Sequence, residues 1–122
     1  MALGSASACA TTYDTSATTV VDVTTTVYVA SGTTEDLLAS MSTEVGALSE
    51  KLVESDGQGE ALERIESQWT LVRPVIERER PELLDAFDAA IAQVRRSVER
   101  RRPADADKAS KNLTTLIDAY RA

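Results

Sequence analysis

From residue 34 onward the apolar residues fall on helical spacings, and that repetition dictates what the chain can fold into. Leu37, Met41, Val45, Leu48 and Leu52 lie four, four, three and four residues apart. Such spacing places them on one face of a helix with 3.6 residues per turn, a stripe that must be buried against another element. Thr33 or Thr34 is placed to cap this helix, with Glu35 and Asp36 against its positive N-terminus. Gly57 and Gly59 predict its end. A second stripe comprises Leu62, Ile65, Trp69, Val72 and Ile76, with Pro74 inside it. Proline removes an amide donor and crowds the carbonyl of Thr70, which predicts a kink or an end near that point. A third segment opens at Pro81, a residue suited to the first helical turn. It carries Leu84, Phe87, Ile91, Val94 and Val98, with Leu83 and Ala90 beside them. Pro103 marks the next boundary, and the fourth stripe is Ala106, Ala109, Leu113, Leu116 with Ile117, and Tyr120.

Four amphipathic segments of roughly 16–22 residues, joined by short links, imply antiparallel neighbours. At about 1.5 Å per residue each spans roughly 25–33 Å, so their lengths match. The expected fold is all-α: an antiparallel up-down four-helix bundle over residues 34–122, with shallow left-handed crossings. Three helices are the alternative, with Pro74 only kinking its helix or the last segment undocked. Aromatic residues make up only 4% of the chain, with one Trp and one Phe. A core of Leu, Val, Ile and Ala suits helix packing better than a β-sandwich. If Trp69 is central to that core, its truncation to alanine costs about 3–5 kcal/mol.

The preceding residues follow a different rule. Residues 11–34 contain ten Thr and no Lys or Arg. Val21, Val23, Val27 and Val29 occupy odd positions, and Asp22, Thr24, Thr26 and Tyr28 even ones. A period of two in β-branched residues predicts extended structure over about residues 19–30. One strand cannot make a sheet, so this segment would lie on the helices or pair with another chain. Read instead as a Thr-rich spacer, residues 11–33 form a tether.

Residues 1–10 read as the remnant of an export signal. Small residues crowd around the only cysteine, in Ser5-Ala6-Ser7-Ala8-Cys9. This run resembles the end of a bacterial lipoprotein signal, which is cut just before a cysteine that is then lipidated. The resemblance spans about ten residues. It departs from the family at Ala6, where Leu, Val or Ile is usual. The basic and apolar stretches of such a signal would lie upstream of Met1. What the resemblance implies is export and a membrane anchor through Cys9. Ala6-Ser7-Ala8 equally satisfies the small-x-small rule for ordinary signal cleavage, and a disordered cytosolic N-terminus with an incidental cysteine is the plain alternative.

The 122 residues hold no histidine and a single cysteine. Serine or cysteine catalysis through an imidazole, histidine-ligated zinc, an internal disulfide and any CxxC pair are all excluded. The formal net charge is −7, from 13 Lys+Arg and 20 Asp+Glu. Acidic balance argues against nucleic-acid binding, which requires cations to neutralise phosphates. That average hides an asymmetry: eleven acids and two bases precede Arg73, and nine acids and eleven bases follow from it, giving −9 and +2. The two parts attract one another.

Two constellations remain. Glu63 and Glu66 flank the second stripe, and Asp85 and Asp88 the third. If those faces oppose, four carboxylates converge into a metal site of the all-oxygen kind. Ferritin-like di-metal bundles are similar in outline, but their sites require a Glu-x-x-His that this chain lacks. Acids three residues apart are also what an ordinary solvated helix face carries. Arg95, Arg96, Arg100, Arg101 and Arg102 gather at the end of the third helix. Cations there complement the negative helix terminus; functionally they would meet an anionic lipid surface or an acidic protein. No glycine-rich phosphate loop and no base able to activate a serine or threonine is recognisable, so neither a cofactor nor enzymatic activity is expected.

The sequence therefore reads as an exported, lipid-anchored helical-bundle protein with a binding or structural role at the bacterial cell envelope. Its partners would be the membrane, through the anchor, and an unidentified protein. One alternative is a metal- or small-ligand-binding accessory module of an uptake system. Periplasmic iron-uptake bundles are similar in size and acidity, although their metal motifs contain histidine. The other alternative is a cytosolic helical interaction module.

Overall fold

A computed structural model describes residues 28–122. In chain order these form α1 (Thr34–Gly46), α2 (Leu48–Glu54), α3 (Gln58–Glu79), a 3-10 turn (Pro81–Leu83), α4 (Leu84–Glu99) and α5 (Pro103–Arg121). The described residues are all-helical, with no strand among them. Only Ala47 separates α1 from α2. Backbone bonds carry across the gap, from the Ala47 amide to the Thr43 carbonyl at 3.1 Å and from the Lys51 amide to the Ala47 carbonyl at 3.4 Å. The two pieces thus act as one interrupted rod, and the rods number four. The signal remnant, Cys9 and most of the expected strand over 19–30 lie outside the described residues. The part of that strand that is described, residues 28–30, is neither strand nor helix.

The helix starts follow their sequence cues. The Thr33 side chain accepts from the Asp36 amide at 3.1 Å, and the Asp36 carboxylate accepts from the Thr33 amide at 3.2 Å. This reciprocal box satisfies two donors that the first turn would leave bare. Pro103 occupies the first turn of α5, where its missing amide costs nothing.

Three boundaries depart from expectation. The first rod ends at Ser55, in left-handed conformation at φ 55°, before either glycine is reached. Gly57 precedes α3 as its N-cap at φ 83°, and Gly59 is an ordinary helical residue. Pro74 does not end its helix: α3 runs through it for 22 residues. Both Pro74 and Thr70 are exposed, so the carbonyl that loses its partner is on the water side of the helix. Finally, Pro81 opens the short 3-10 turn, and α4 begins at Leu84.

The stripes meet in one core. Leu37, Met41, Val45, Leu48 and Leu52 from the first rod are buried with Ile65, Trp69, Val72 and Ile76 of α3. Phe87, Ile91 and Val94 of α4 and Ala106, Ala109, Leu113 and Ile117 of α5 complete it. Each large side chain removed from water in this way contributes about 1.5–3 kcal/mol. α3 packs on α1 and α4, while α5 packs on α1, α2 and α4. Trp69 and Phe87 stack with centroids 5.6 Å apart, which fixes the meeting of α3 with α4.

Candidate functional site

The four carboxylates singled out in the sequence do not gather. Glu66 accepts from Arg95 Nε at 2.6 Å, across from α3 to α4. Asp88 on α4 accepts from Arg73 on α3 through both oxygens, at 3.0 and 2.8 Å. Glu63 and Asp85 are exposed. The seam between α3 and α4 thus carries two arginine–carboxylate bridges where a carboxylate cluster was expected. Among the described residues no group of three or more His, Cys, Asp or Glu could hold a metal ion. The hydrogen bond from Arg73 holds the Asp88 carboxyl below the ordinary carboxylate range, against burial, which pushes the other way. The reason is direct: a bidentate guanidinium stabilises the charged form.

The arginine run divides as well. Arg95 turns to Glu66, and Arg102 reaches Asp105 at 3.2 Å. Arg96, Arg100 and Arg101 are exposed. Here the chain makes a Schellman turn: the Arg101 amide donates to the Val98 carbonyl at 3.3 Å and the Arg102 amide to the Ser97 carbonyl at 2.9 Å. Arg101 sits at φ 52°, the position glycine usually takes. Part of the run therefore works to end α4 and begin α5.

Three polar features had no sequence signal. Arg64 on α3 grips Glu44 on α1 in a bidentate pair at 2.6 and 3.1 Å. The Glu44 carboxylate raises the Arg64 pKa, an effect that partial burial opposes. Gln68, fully buried, donates from Nε2 to the Tyr28 hydroxyl and to Ser40 Oγ, both at 2.8 Å. Its Oε1 has no partner. Two hydroxyls can serve only one end of an amide, so the other end stays bare whichever way the group is turned. Tyr28 lies beside the middle of α1, whereas Thr33 caps its start, so residues 28–33 double back along the helix. The turn includes Gly32 at φ 115°, and Ala30 leans on the core. At the opposite end of α3, Arg80 Nη1 donates to the carbonyls of Ala119 and Tyr120 at 2.9 and 3.1 Å. It thereby caps the last turn of α5. The Tyr120 hydroxyl donates to Glu79 at 2.6 Å, which raises the tyrosine pKa.

A groove of about 490 Å³ runs between α4 and α5 on the side away from α1 and α3. Ala86, Ala89 and Ala90 form its α4 wall, and Thr115 and Leu116 face them from α5. Asn112 Nδ2 donates to Gln93 Oε1 across it at 3.0 Å. Arg96 stands one turn beyond that amide pair.

No helix among the described residues is long and apolar enough to cross a membrane. Comparison of the chain with protein-family models, curated proteins and solved structures finds no match.

Proposed function

We propose that the chain is an exported helical-bundle protein, held at the bacterial cell envelope through Cys9, with a binding or structural role and no catalysis. The observation that carries this reading is where the helical body begins. Thr33 closes a complete capping box, so α1 needs nothing upstream to satisfy its first turn. Among the described residues ahead of it, 28–32 enter no helix, and the Tyr28 hydroxyl accepts from Gln68 of α3. A Thr-rich segment ahead of a self-sufficient helical body suits a tether that follows a lipidated cysteine. The bundle is read as antiparallel and up-down. This order is supported by the Arg121–Glu35 bridge at 2.9 Å and by the Arg80 bonds to Ala119 and Tyr120, which bring the start of α1, the end of α3 and the end of α5 together.

Labelled palmitate tests the anchor. Expressed in a bacterial host with its native upstream sequence, the protein takes up label and sediments with membranes, and Cys9→Ser does neither. Label retained by Cys9→Ser overturns the anchor. Residence of the unlabelled protein in the cytosol overturns export and favours a cytosolic interaction module.

A further inference from the structure

We propose that the groove between α4 and α5 binds a small amphipathic monocarboxylate, its apolar body on the alanine wall and its carboxylate on Arg96. The proposal deepens the binding role proposed above by naming a ligand class, and it does not depend on the anchor. Three observations lead to it. The first is shape. Alanine at 86, 89 and 90 stops each side chain at Cβ, which leaves a space of about 490 Å³ between two helices that otherwise pack closely. That volume lies within the ordinary range for small-ligand pockets, roughly 300–1,000 Å³.

The second observation is charge. Arg64, Arg73, Arg80, Arg95, Arg102 and Arg121 each hold a carboxylate. Arg96 forms no such bridge among the described residues, and it lines the groove. Lys108 precedes Asn112 by four residues on α5 and is exposed, so it adds a second cation on the same helical face. The opposite end approaches Asp85, next to Ala86, and Glu82, one turn before it. Among the lining residues Arg96 is the cation, and no carboxylate joins it there.

The third observation is directionality. Gln93 and Asn112 spend one donor and one acceptor on each other. Gln93 accepts in that pair, so both of its Nε2 hydrogens are left over, and along α4 it lies between the alanines and Arg96 in the groove lining. Thr115 offers little competition, since its hydroxyl donates to the Lys111 carbonyl at 3.0 Å. A ligand with an apolar chain and one carboxylate satisfies all three conditions; an alkylamine repels Arg96, and acetate has nothing to lay on the wall.

Isothermal calorimetry on the full chain tests the assignment with octanoate, octylamine and acetate. Octanoate gives saturable heat and the other two give none. Arg96→Gln weakens octanoate binding about tenfold or more, and Ala89→Phe, which fills the groove from an exposed position in its wall, abolishes it. Unchanged far-UV melts show that both variants are folded. Absence of octanoate heat in the parent chain overturns the proposal. So does octanoate binding that survives Ala89→Phe, or equal binding of octylamine. None of these outcomes touches palmitate labelling at Cys9, so the two readings fail separately.

Discussion

Where α4 meets α3, Trp69 stacks on Phe87 and two arginine–carboxylate bridges close the rim. Where α4 meets α5, alanines line a groove and one neutral amide pair crosses it. The same helix is locked on one side and open on the other. The difference comes from side-chain volume. Large rings on the α3 side fill the space between helix axes and bring long arginines within reach of facing acids. On the α5 side, Ala86 and Ala89 remove that volume near the surface, while Ile91 and Val94 still close the core beneath. Sensitivity to truncation should therefore be greatest at the ring pair, and tolerance to substitution greatest along the outer groove of the closely packed α4–α5 seam.

The largest expected effect tests this contrast. Trp69 is only 7% exposed, so Trp69→Ala leaves a cavity and forfeits the stack. The loss should be about 3–5 kcal/mol in urea melts. Ala89→Phe should stay within about 1 kcal/mol, because the groove gives the exposed position room for the ring and the helix propensity of Phe is only modestly below that of Ala. Equal losses at the two positions would mean that the groove is a tightly constrained part of the core, and the contrast would collapse.

How much of this was legible beforehand depends on whether a feature is local. The stripes were legible because burial follows period: every residue of the first stripe is buried, as are Ile65, Trp69, Val72 and Ile76. The Thr33 cap and the Pro103 start were legible because each depends on residues within one turn. Pro74 misled because its cost depends on orientation. On an exposed face the freed carbonyl of Thr70 finds water, and α3 continues. The carboxylates misled for a related reason. Helical spacing puts Glu66 and Asp88 on facing surfaces, but only the register between α3 and α4 shows that Arg95 and Arg73 reach them first. Gln68 was hidden entirely, since its partners are 28 and 40 residues away.

The links sharpen the comparison at a smaller scale. Between α3 and α4, Arg80 has φ −139° and is held by the end of α5. Between α4 and α5, Arg101 is left-handed at φ 52°, a conformation disfavoured for residues with a Cβ. Arg101→Gly should raise stability by about 0.5–1 kcal/mol, because relief of that strain outweighs the greater freedom of glycine in the unfolded chain. A higher urea midpoint with an unchanged slope is the expected result. A lower midpoint would show that the Arg101 side chain contributes more than its backbone costs, so that this link is held by its side chains like the one before it.

The smallest effect separates ring stacking from charge at the locked seam. Arg73 lowers the Asp88 pKa in the folded state. A depressed carboxyl contributes stability that is present above its unfolded pKa, near 3.9, and is lost as pH falls through the lower, folded value. Between pH 5 and pH 2.5 the parent chain should therefore lose a small increment that Asp88→Asn has already lost. Both side chains are more than a third exposed, so solvent screening keeps the increment small. The comparison is made with urea midpoints at the two pH values, for the parent chain, Asp88→Asn and Asn112→Ala. Asp88→Asn should show a shallower decline than the parent. Asn112→Ala should parallel the parent, because the Gln93–Asn112 pair does not titrate in that range. If Asp88→Asn declines as steeply as the parent, the Arg73–Asp88 bridge adds nothing, and the α3–α4 seam is held by the Trp69–Phe87 stack and the Arg95–Glu66 bridge.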